Sequence, residues 1–237
     1  MKQKIQIIYE DNAIIAINKP AGVLSIADRY DKNAPVVTDF LPQITGQYFI
    51  VHRLDKDTSG SMIIAKNQET HRMLSRLFET GAVTKIYHAL VWGRPSWDKI
   101  DCDLPLRPDG DADHRTIIDG SGKESLTHFS VLKRWNRISL IEAKPATGRT
   151  HQVRVHASAV GYALLCDPLY GDGKPVFLSD LKRNYKGDTW EERPLISRTA
   201  LHAAFISFTY PNSGDTISIE AEYPKDFGAV IKQLDKL

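Results

Sequence analysis

The first half of the chain alternates apolar and polar positions in a way that predicts β-strands. Two strands are predicted at the start, Ile5–Tyr9 and Ala13–Asn18, with a polar turn between them. The apolar run within Ser61–Lys66 predicts a buried strand, and the alternation within Val83–Trp92 predicts a longer one.

Helices are predicted at two places in the same half. Asn67 is a residue type that caps helix N-termini, and Leu74 and Phe78 after it recur at helical spacing. These positions predict a helix that runs from Asn67 through Glu79. A short helix is predicted over Val36–Leu41.

The second half continues with paired strands and ends in a helix. A stretch rich in Asp, Gly and Pro interrupts it and predicts a loop or hairpin. The predicted elements are a loop or hairpin over Pro105–Gly122, a strand pair Leu126–Arg134 and Ile138–Lys144, a hairpin Ala203–Tyr210 and Thr216–Ala221, and a helix Pro224–Leu237.

Residues 150–160 fit two patterns. Val153, Val155 and Ala157 alternate, as in a strand. A cap at Thr150 and a terminating Gly161 indicate a helix instead. We favour the helix because both of its ends are marked.

These elements predict an α+β fold. Strands outnumber helices and many neighbours are linked by hairpins, which favours a mixed, mostly antiparallel central sheet flanked by helices and loops. With 237 residues the chain is long enough for one sizeable core. We expect a single domain over residues 1–237.

Composition narrows the class of protein. Hydrophobic residues make up 42% and charged residues 25%, which is ordinary for a globular protein. No apolar run is long enough for a membrane span, and the N-terminus lacks the pattern of a signal peptide. The two cysteines, Cys102 and Cys166, exclude a disulfide framework. We expect reduced thiols and a cytoplasmic location.

The net charge of +2 neither supports nor excludes a nucleic-acid partner. Basic and aromatic residues do concentrate in one segment near residue 190, where a solvated surface loop is the simpler interpretation. These residues are Lys182, Arg183, Tyr185, Lys186, Trp190, Arg193 and Arg198.

The densest group of chemically active residues is the segment His52–Gly60, which contains Arg53, Asp55 and Asp57. It lies between an apolar segment and a predicted strand, where loops often display catalytic groups. A surface ion-pair network would give the same pattern. The residue types alone do not distinguish Asp55 from Asp57.

Two further groups stand out. The segment Gly148–His156 contains Arg149 and Arg154, and an arginine beside a carboxylate keeps it ionised and orients it. A basic surface helix is the alternative. Lys85 and Tyr87 share one face of a predicted strand, where a tyrosine can stack on a base or simply pack in the core.

Metal and phosphate-loop sites are not indicated. His151 and His156 are five residues apart, whereas two ligands on one helix face need a spacing of about four. Gly171–Lys174 lacks the strand–loop–helix context of a phosphate loop. We therefore expect no metal site.

The motifs, taken together, resemble those of the RluA-type pseudouridine synthases. The matching segments, in order, are Lys19-Pro20-x-Gly22, His52-Arg53-Leu54-Asp55-x-x-Thr58-Ser59-Gly60, Lys85-x-Tyr87-x-Ala89-x-Val91-x-Gly93, Gly148–His156, Asp167–Gly171 and Leu201–Ala203. They span about residue 7 to residue 210. Cys166 departs from the glycine that often precedes the aspartate in this family, and Val153 replaces a frequent isoleucine.

The resemblance implies the pseudouridine synthase catalytic fold and an isomerase of uridine in ribosomal or transfer RNA. Asp55 would be the essential carboxylate, Tyr87 would lie against the target base, and Arg154 would pair with Asp55. The residues expected to bind substrate are Arg53, Arg149, His52 and Lys85.

The resemblance also implies partners and cofactors. An RNA stem-loop would be the substrate. The enzyme would act as a monomer and would need no cofactor, metal, membrane or obligatory protein partner. Many relatives carry an N-terminal S4 domain, which is not expected here because the first motif begins by Lys19. The basic segment around residue 190 would then assist RNA binding. The rival functions are a glycosylase that releases the base to water and a non-catalytic RNA-binding module.

Overall fold

The computed structural model describes residues 5–28, 33–42 and 47–237, which divide into two compact units. The first unit comprises residues 1–87 and 202–222, and the second comprises residues 88–201 and 223–237. The elements, in chain order, are β1 (Gln6–Glu10), β2 (Ile14–Lys19), a 3-10 helix (Val37–Phe40), β3 (Phe49–Ile50), β4 (Ser59–Ala65), α1 (Gln68–Glu79), β5 (Thr84–Trp92), β6 (Lys99–Asp103), β7 (Leu106–Arg107), β8 (Ile117–Ile118), β9 (Leu126–Arg134), β10 (Ile138–Pro145), α2 (Gln152–Ala159), α3 (Leu178–Leu181), β11 (Leu201–Thr209), β12 (Thr216–Glu220) and α4 (Lys225–Leu234).

The sheet of the first unit has the order β1-β2-β4-β11, and β4 is its central strand. Strand β2 pairs antiparallel with one edge of β4. The short β3 pairs antiparallel with the end of β4, and β11 pairs parallel with its start. Strand β12 pairs with β11 as the expected hairpin.

Both faces of this sheet are buried, which explains the continuous apolar runs in β2 and β4. On one face Ile14 and Ile63 pack against Leu74 of α1. On the other face Ile15 and Met62 lie in a second apolar cluster. Helix α1 begins as predicted, because the Asn67 side chain accepts a hydrogen bond from the backbone N–H of Thr70.

The sheet of the second unit has the order β5-β10-β9-β6, and strand β5 enters this unit after Tyr87. The predicted loop or hairpin over 105–122 contains the β7–β8 pair. A core that includes Leu90, Leu165 and Val176 packs against Phe227 of α4.

The predicted α+β fold with a mixed, mostly antiparallel sheet is confirmed. The helix favoured over 150–160 is also confirmed as α2, but its predicted cap at Thr150 is wrong. The residue before α2 is His151, in the left-handed region with φ of 54°, and its side chain makes no capping hydrogen bond. Strand β6 and helix α3 were not predicted. No helix among the described residues is long and apolar enough to cross a membrane.

Candidate active site

The loop that carries Asp55 joins β3 to β4 and is closed by a tight turn. The backbone N–H of Thr58 donates to the Asp55 carbonyl oxygen at 3.1 Å, so Lys56 and Asp57 occupy the central turn positions. Asp55 is half-buried, whereas Asp57 is exposed. The structure therefore distinguishes two carboxylates that the residue types alone did not.

Lys19, at the end of β2, fixes the residue that follows the candidate aspartate. Its side chain is fully buried. Nζ donates to the backbone oxygens of Pro20 at 3.1 Å, Val23 at 2.7 Å and Lys56 at 3.1 Å. The N–H of Gly22 donates to the same Lys56 oxygen at 2.9 Å. These carbonyl groups satisfy a buried ammonium that would otherwise be costly.

The residue before the candidate aspartate, Leu54, is held as firmly. Ser25 Oγ donates to the Leu54 oxygen at 2.8 Å and accepts from the Leu54 N–H at 2.9 Å. The Leu54 side chain is buried in the apolar cluster that Tyr87 borders. Both neighbours of Asp55 are therefore anchored, which holds the carboxylate in one place.

The strand after the loop is pinned to β11. Gly60 has φ of 119°, and a Cβ there would overlap the backbone of Ala203. Ser59 Oγ lies 3.0 Å from Nδ1 of the buried His202, whose Nε2 lies 3.0 Å from the Ala221 oxygen. Since a carbonyl oxygen can only accept, Nε2 donates in the second of these hydrogen bonds.

His52 hydrogen-bonds to β4 at the position between its pairing with β3 and its pairing with β11. Its Nε2 accepts the backbone N–H of Ile63 at 3.0 Å, and its ring stacks on Phe78 with centroids 4.6 Å apart. Burial, helped by the positive charge of Lys85, lowers the pKa of His52 to about 3. These contacts give His52 a structural role, and its expected role in substrate binding stays a prediction.

Tyr87 and Asp55 interact electrostatically. Burial, together with the negative charge of Asp55, raises the pKa of Tyr87 far above the ordinary value of 10.0. Tyr87 is thus a neutral phenol beside a carboxylate, able to donate a hydrogen bond and to present an aromatic face. Within the first unit, the charge of Asp55 thus acts on Tyr87 and the charge of Lys85 acts on His52, while Arg53 is exposed on the loop that carries Asp55.

In the second unit, Arg154 forms a buried, bidentate ion pair with Asp167. Nε lies 2.7 Å from Oδ2 and Nη2 lies 2.8 Å from Oδ1. Burial alone would raise the pKa of Asp167, but hydrogen bonds and charge from Arg154 and the N–H groups of Leu169 and Tyr170 hold it below 3.8. The guanidinium is thereby oriented by its partner.

Sequence reasoning missed this role of Asp167, which was identified only as part of the Asp167–Gly171 motif. That motif forms a tight turn, since the N–H of Gly171 donates to the Asp167 oxygen at 3.1 Å. The sequence did contain a signal for this ion pair. Asp167 is the one charged residue in the apolar stretch 163–169, and buried charges are nearly always paired. Lys19 carried the same signal at the end of an apolar strand.

Other polar residues of the 148–156 motif join α2 to the strands beside it. Gln152 accepts from the Thr147 hydroxyl at 2.7 Å and the Arg149 N–H at 3.0 Å. His156 lies 2.9 Å from Thr127 Oγ1, and burial lowers its pKa. Arg149 is half-buried and donates through Nε to the Glu124 oxygen at 3.2 Å. Its expected contact with substrate stays a prediction.

Cys166 shows why glycine is frequent before the aspartate of this motif. Its φ is 57°, in the left-handed region that glycine adopts without strain. The thiol is buried, and burial raises its pKa to about 11. The departure leaves the turn and the Arg154–Asp167 pair in place.

Among the residues that the structure describes, no group of three or more His, Cys, Asp or Glu is arranged to hold a metal ion.

Comparison with known proteins defines the class of enzyme. The sequence model of the family described as RNA pseudouridylate synthase matches residues 13–159. The chain belongs to this family, whose members isomerise uridine to pseudouridine in RNA.

Two bacterial relatives are similar over most of the chain. The protein named ribosomal large subunit pseudouridine synthase D, from Zymomonas mobilis, is 34% identical and the match covers 97% of this chain and 73% of the relative. The protein named dual-specificity RNA pseudouridine synthase RluA, from Vibrio cholerae, is 34% identical over 88% of this chain and 79% of the relative.

Solved structures show the same fold. Human RNA pseudouridylate synthase domain containing 1 superposes with a TM-score of 0.71 at 27% identity, over 93% of this chain and 84% of that one. Human RNA pseudouridylate synthase domain containing 4 gives a TM-score of 0.76 at 23% identity, over 97% and 93%.

Proposed function

We propose that this protein isomerises particular uridines in ribosomal RNA, transfer RNA or both, with Asp55 as the essential carboxylate. The observation that carries the proposal is the anchored Asp55 loop, in which the carboxylate is half-buried and its charge acts on Tyr87. Relatives whose names specify ribosomal RNA or dual specificity support the class of substrate.

The residues have separate roles in the proposed reaction. Asp55 acts on the ribose while the bond between N1 and C1′ breaks. The freed uracil rotates against Tyr87, a C5–C1′ bond forms, and the proton lost from C5 balances the proton gained at N1. Because substrate and product are isomers, the reaction consumes no cofactor or energy source.

The target base has to leave its stack before Asp55 can reach the sugar, at a cost of roughly a few kcal/mol. Unpaired loop nucleotides lower that cost, which favours a stem-loop as the substrate. Arg53, Arg149, Lys85 and His52 are the proposed contacts to the flipped nucleotide and its phosphates.

Arg154 is proposed to pair with Asp55, as the family resemblance implies. Its fixed orientation on Asp167 supports this role, since a planar guanidinium held on one side presents its other donors in a defined direction. Such a pairing would keep Asp55 ionised and oriented.

The deciding experiment compares Asp55→Asn with Asp57→Asn on total RNA, using site-resolved pseudouridine mapping. Asp55→Asn should abolish pseudouridine formation without unfolding the protein, because the change is nearly isosteric. Asp57→Asn, two positions further along the same turn and exposed, should retain activity. Activity in Asp55→Asn would overturn the assignment, and release of free uracil by the wild type would indicate a glycosylase.

We further propose that residues 1–237 act as one catalytic domain, as a cytoplasmic monomer without an obligatory protein partner. The family match runs across the boundary between the two units, which supports one functional domain. Both cysteines are free and buried, as suits a reducing compartment. Light scattering on the purified protein, with activity assayed after treatment with a metal chelator, would test the oligomeric state and the absence of a metal requirement.

A further inference from the structure

Trp190 is the most exposed large hydrophobic residue among those that the structure describes. Its side chain is 94% exposed, whereas the next such residue, the C-terminal Leu237, is 63% exposed. An indole in water contributes nothing to the core. Large exposed aromatic groups of this kind often mark a surface that binds something.

The segment that carries Trp190, residues 182–193, is held at both ends. The N–H of Leu195 donates to the Val176 oxygen at 2.8 Å, and the N–H of Ser179 donates to Glu192 Oε1 at 2.9 Å. Asp188 accepts the backbone N–H of Trp190 at 2.8 Å. Trp190 is therefore displayed on an anchored loop with local turn structure.

Cations lie beside this aromatic residue in the sequence. Arg183 and Lys186 are exposed, and the described structure gives neither of them an ion pair. Tyr185, between them, packs over Gly187. Arg198 differs, because it forms a bidentate pair with Asp226 at 2.7 and 3.0 Å, so this part of the expected basic segment stabilises the fold.

We propose that the 182–193 segment is an RNA-binding site, in which an unpaired base stacks on Trp190 and neighbouring phosphates contact Arg183 and Lys186. Exposed aromatic rings next to cations are the combination by which proteins hold single-stranded nucleic acid with little sequence preference. The inference rests on the proposed function for the identity of the partner, and it adds a contact made outside the target nucleotide.

The test measures binding and turnover separately with a labelled stem-loop RNA that has a uridine-rich loop. Trp190→Ala should raise Kd by roughly 10-fold, since loss of one stacked base typically costs about that much. Trp190→Phe should recover part of the affinity. At saturating RNA, kcat should be unchanged. An unchanged Kd, or a fall in kcat without a change in Kd, would overturn the proposal.

The charged contacts are tested through salt dependence. Arg183→Gln combined with Lys186→Gln should flatten the slope of log Kd against log salt by about 1.4, because each single-strand phosphate contact contributes about 0.7. The matched control is Lys232→Gln combined with Lys236→Gln on and after α4, which removes the same charge from exposed positions. Equal effects of the two pairs would show non-specific attraction and overturn the site.

Binding is also measured in an Asp55→Asn background, where no turnover is needed. If wild-type protein forms no pseudouridine but Trp190 still governs RNA affinity, the proposed function fails and the binding site stands. If pseudouridine forms with normal KM in Trp190→Ala, the binding site fails and the function stands.

Discussion

Lys19 Nζ lies 3.1 Å from the backbone oxygen of Lys56, the residue that follows Asp55. Lys19→Met should therefore weaken both stability and catalysis. Three hydrogen bonds would be lost in a buried site, and among the described contacts only the Lys56 oxygen would keep another donor, the Gly22 N–H, so we expect a cost of about 3 kcal/mol in the free energy of unfolding. Because the turn after Asp55 would loosen, kcat should fall by more than the unfolded fraction explains. Urea denaturation and single-turnover assays measure the two effects.

Lys56→Ala is the matched control for that variant. The Lys56 side chain is exposed, and its removal leaves the carbonyl oxygen in place. Stability should change by no more than about 0.5 kcal/mol. If Lys19→Met proves as mild as this control, the buried lysine does not anchor the loop.

Gly60→Ala should be among the most disruptive single changes in the first unit. Gly60 has φ of 119°, and an added Cβ would overlap the backbone oxygen of Ala203. Strands β4 and β11 would have to separate, so we expect a loss above about 3 kcal/mol and little activity. Gly120→Ala, where a Cβ meets nothing within 4 Å, should be nearly neutral in thermal unfolding. Equal melting temperatures would contradict the close approach.

The sequence predicted strands and helices well where the pattern was strong on its own. The buried run of β4 and the capped start of α1 are local features. The long β9 and β10 follow each other in the chain and pair antiparallel, as predicted. Strand β6 was missed because three of its five residues, Lys99, Asp101 and Asp103, are exposed and its pairing with β9 is a tertiary interaction.

Motif order located the candidate site but not the contacts that build it. Lys19 and Asp167 belonged to the motifs, yet the Lys56 oxygen that Lys19 holds and the Arg154 guanidinium that Asp167 binds lie 37 and 13 residues away in sequence. Local pattern cannot predict such pairs. The cap of α2 was misplaced because the residue before the helix, His151, adopts a left-handed conformation that few non-glycine residues adopt and that the local pattern did not indicate.

His52→Phe should make stability less dependent on pH. The pKa of His52 is lowered from 6.5 to about 3 in the folded protein, first by burial and then by the charge of Lys85. The unfolded chain therefore binds a proton that the folded chain does not, and stability falls as pH drops from 6.5 towards 3. Phenylalanine removes this component.

The same variant should cost about 1 to 2 kcal/mol at neutral pH, because the Ile63 N–H loses its acceptor. Urea denaturation at several pH values measures both effects. His114→Asn serves as the control, because His114 is exposed and its left-handed backbone, with φ of 55°, accepts asparagine. A pH dependence identical to the wild type would show that folding does not lower the pKa of His52. A higher Kd for RNA would favour the substrate-binding role.

Asp167→Asn should lower activity through Arg154. The change breaks a buried, bidentate ion pair, which typically costs about 3 to 5 kcal/mol of stability. Arg154 would also lose the orientation that Asp167 gives it, so kcat should fall while RNA affinity changes little, and Arg154→Ala should show the same split. The exposed Asp172→Asn is the control. Weaker, more salt-sensitive binding with unchanged kcat in Arg154→Ala would instead identify a phosphate contact.

Asp55→Asn should lower the pKa of Tyr87. Burial is the larger cause of the raised value and will persist, but the contribution from the Asp55 charge will be lost. NMR titration of protein carrying labelled tyrosine would follow the Tyr87 ring, assigned with Tyr87→Phe. Asp57→Asn should leave the titration unchanged, because Asp57 is exposed and is not a cause of the Tyr87 shift. If Tyr87 titrates identically in the wild type and in Asp55→Asn, the two residues do not share one site. A lowered value would establish their proximity independently of any assay of pseudouridine.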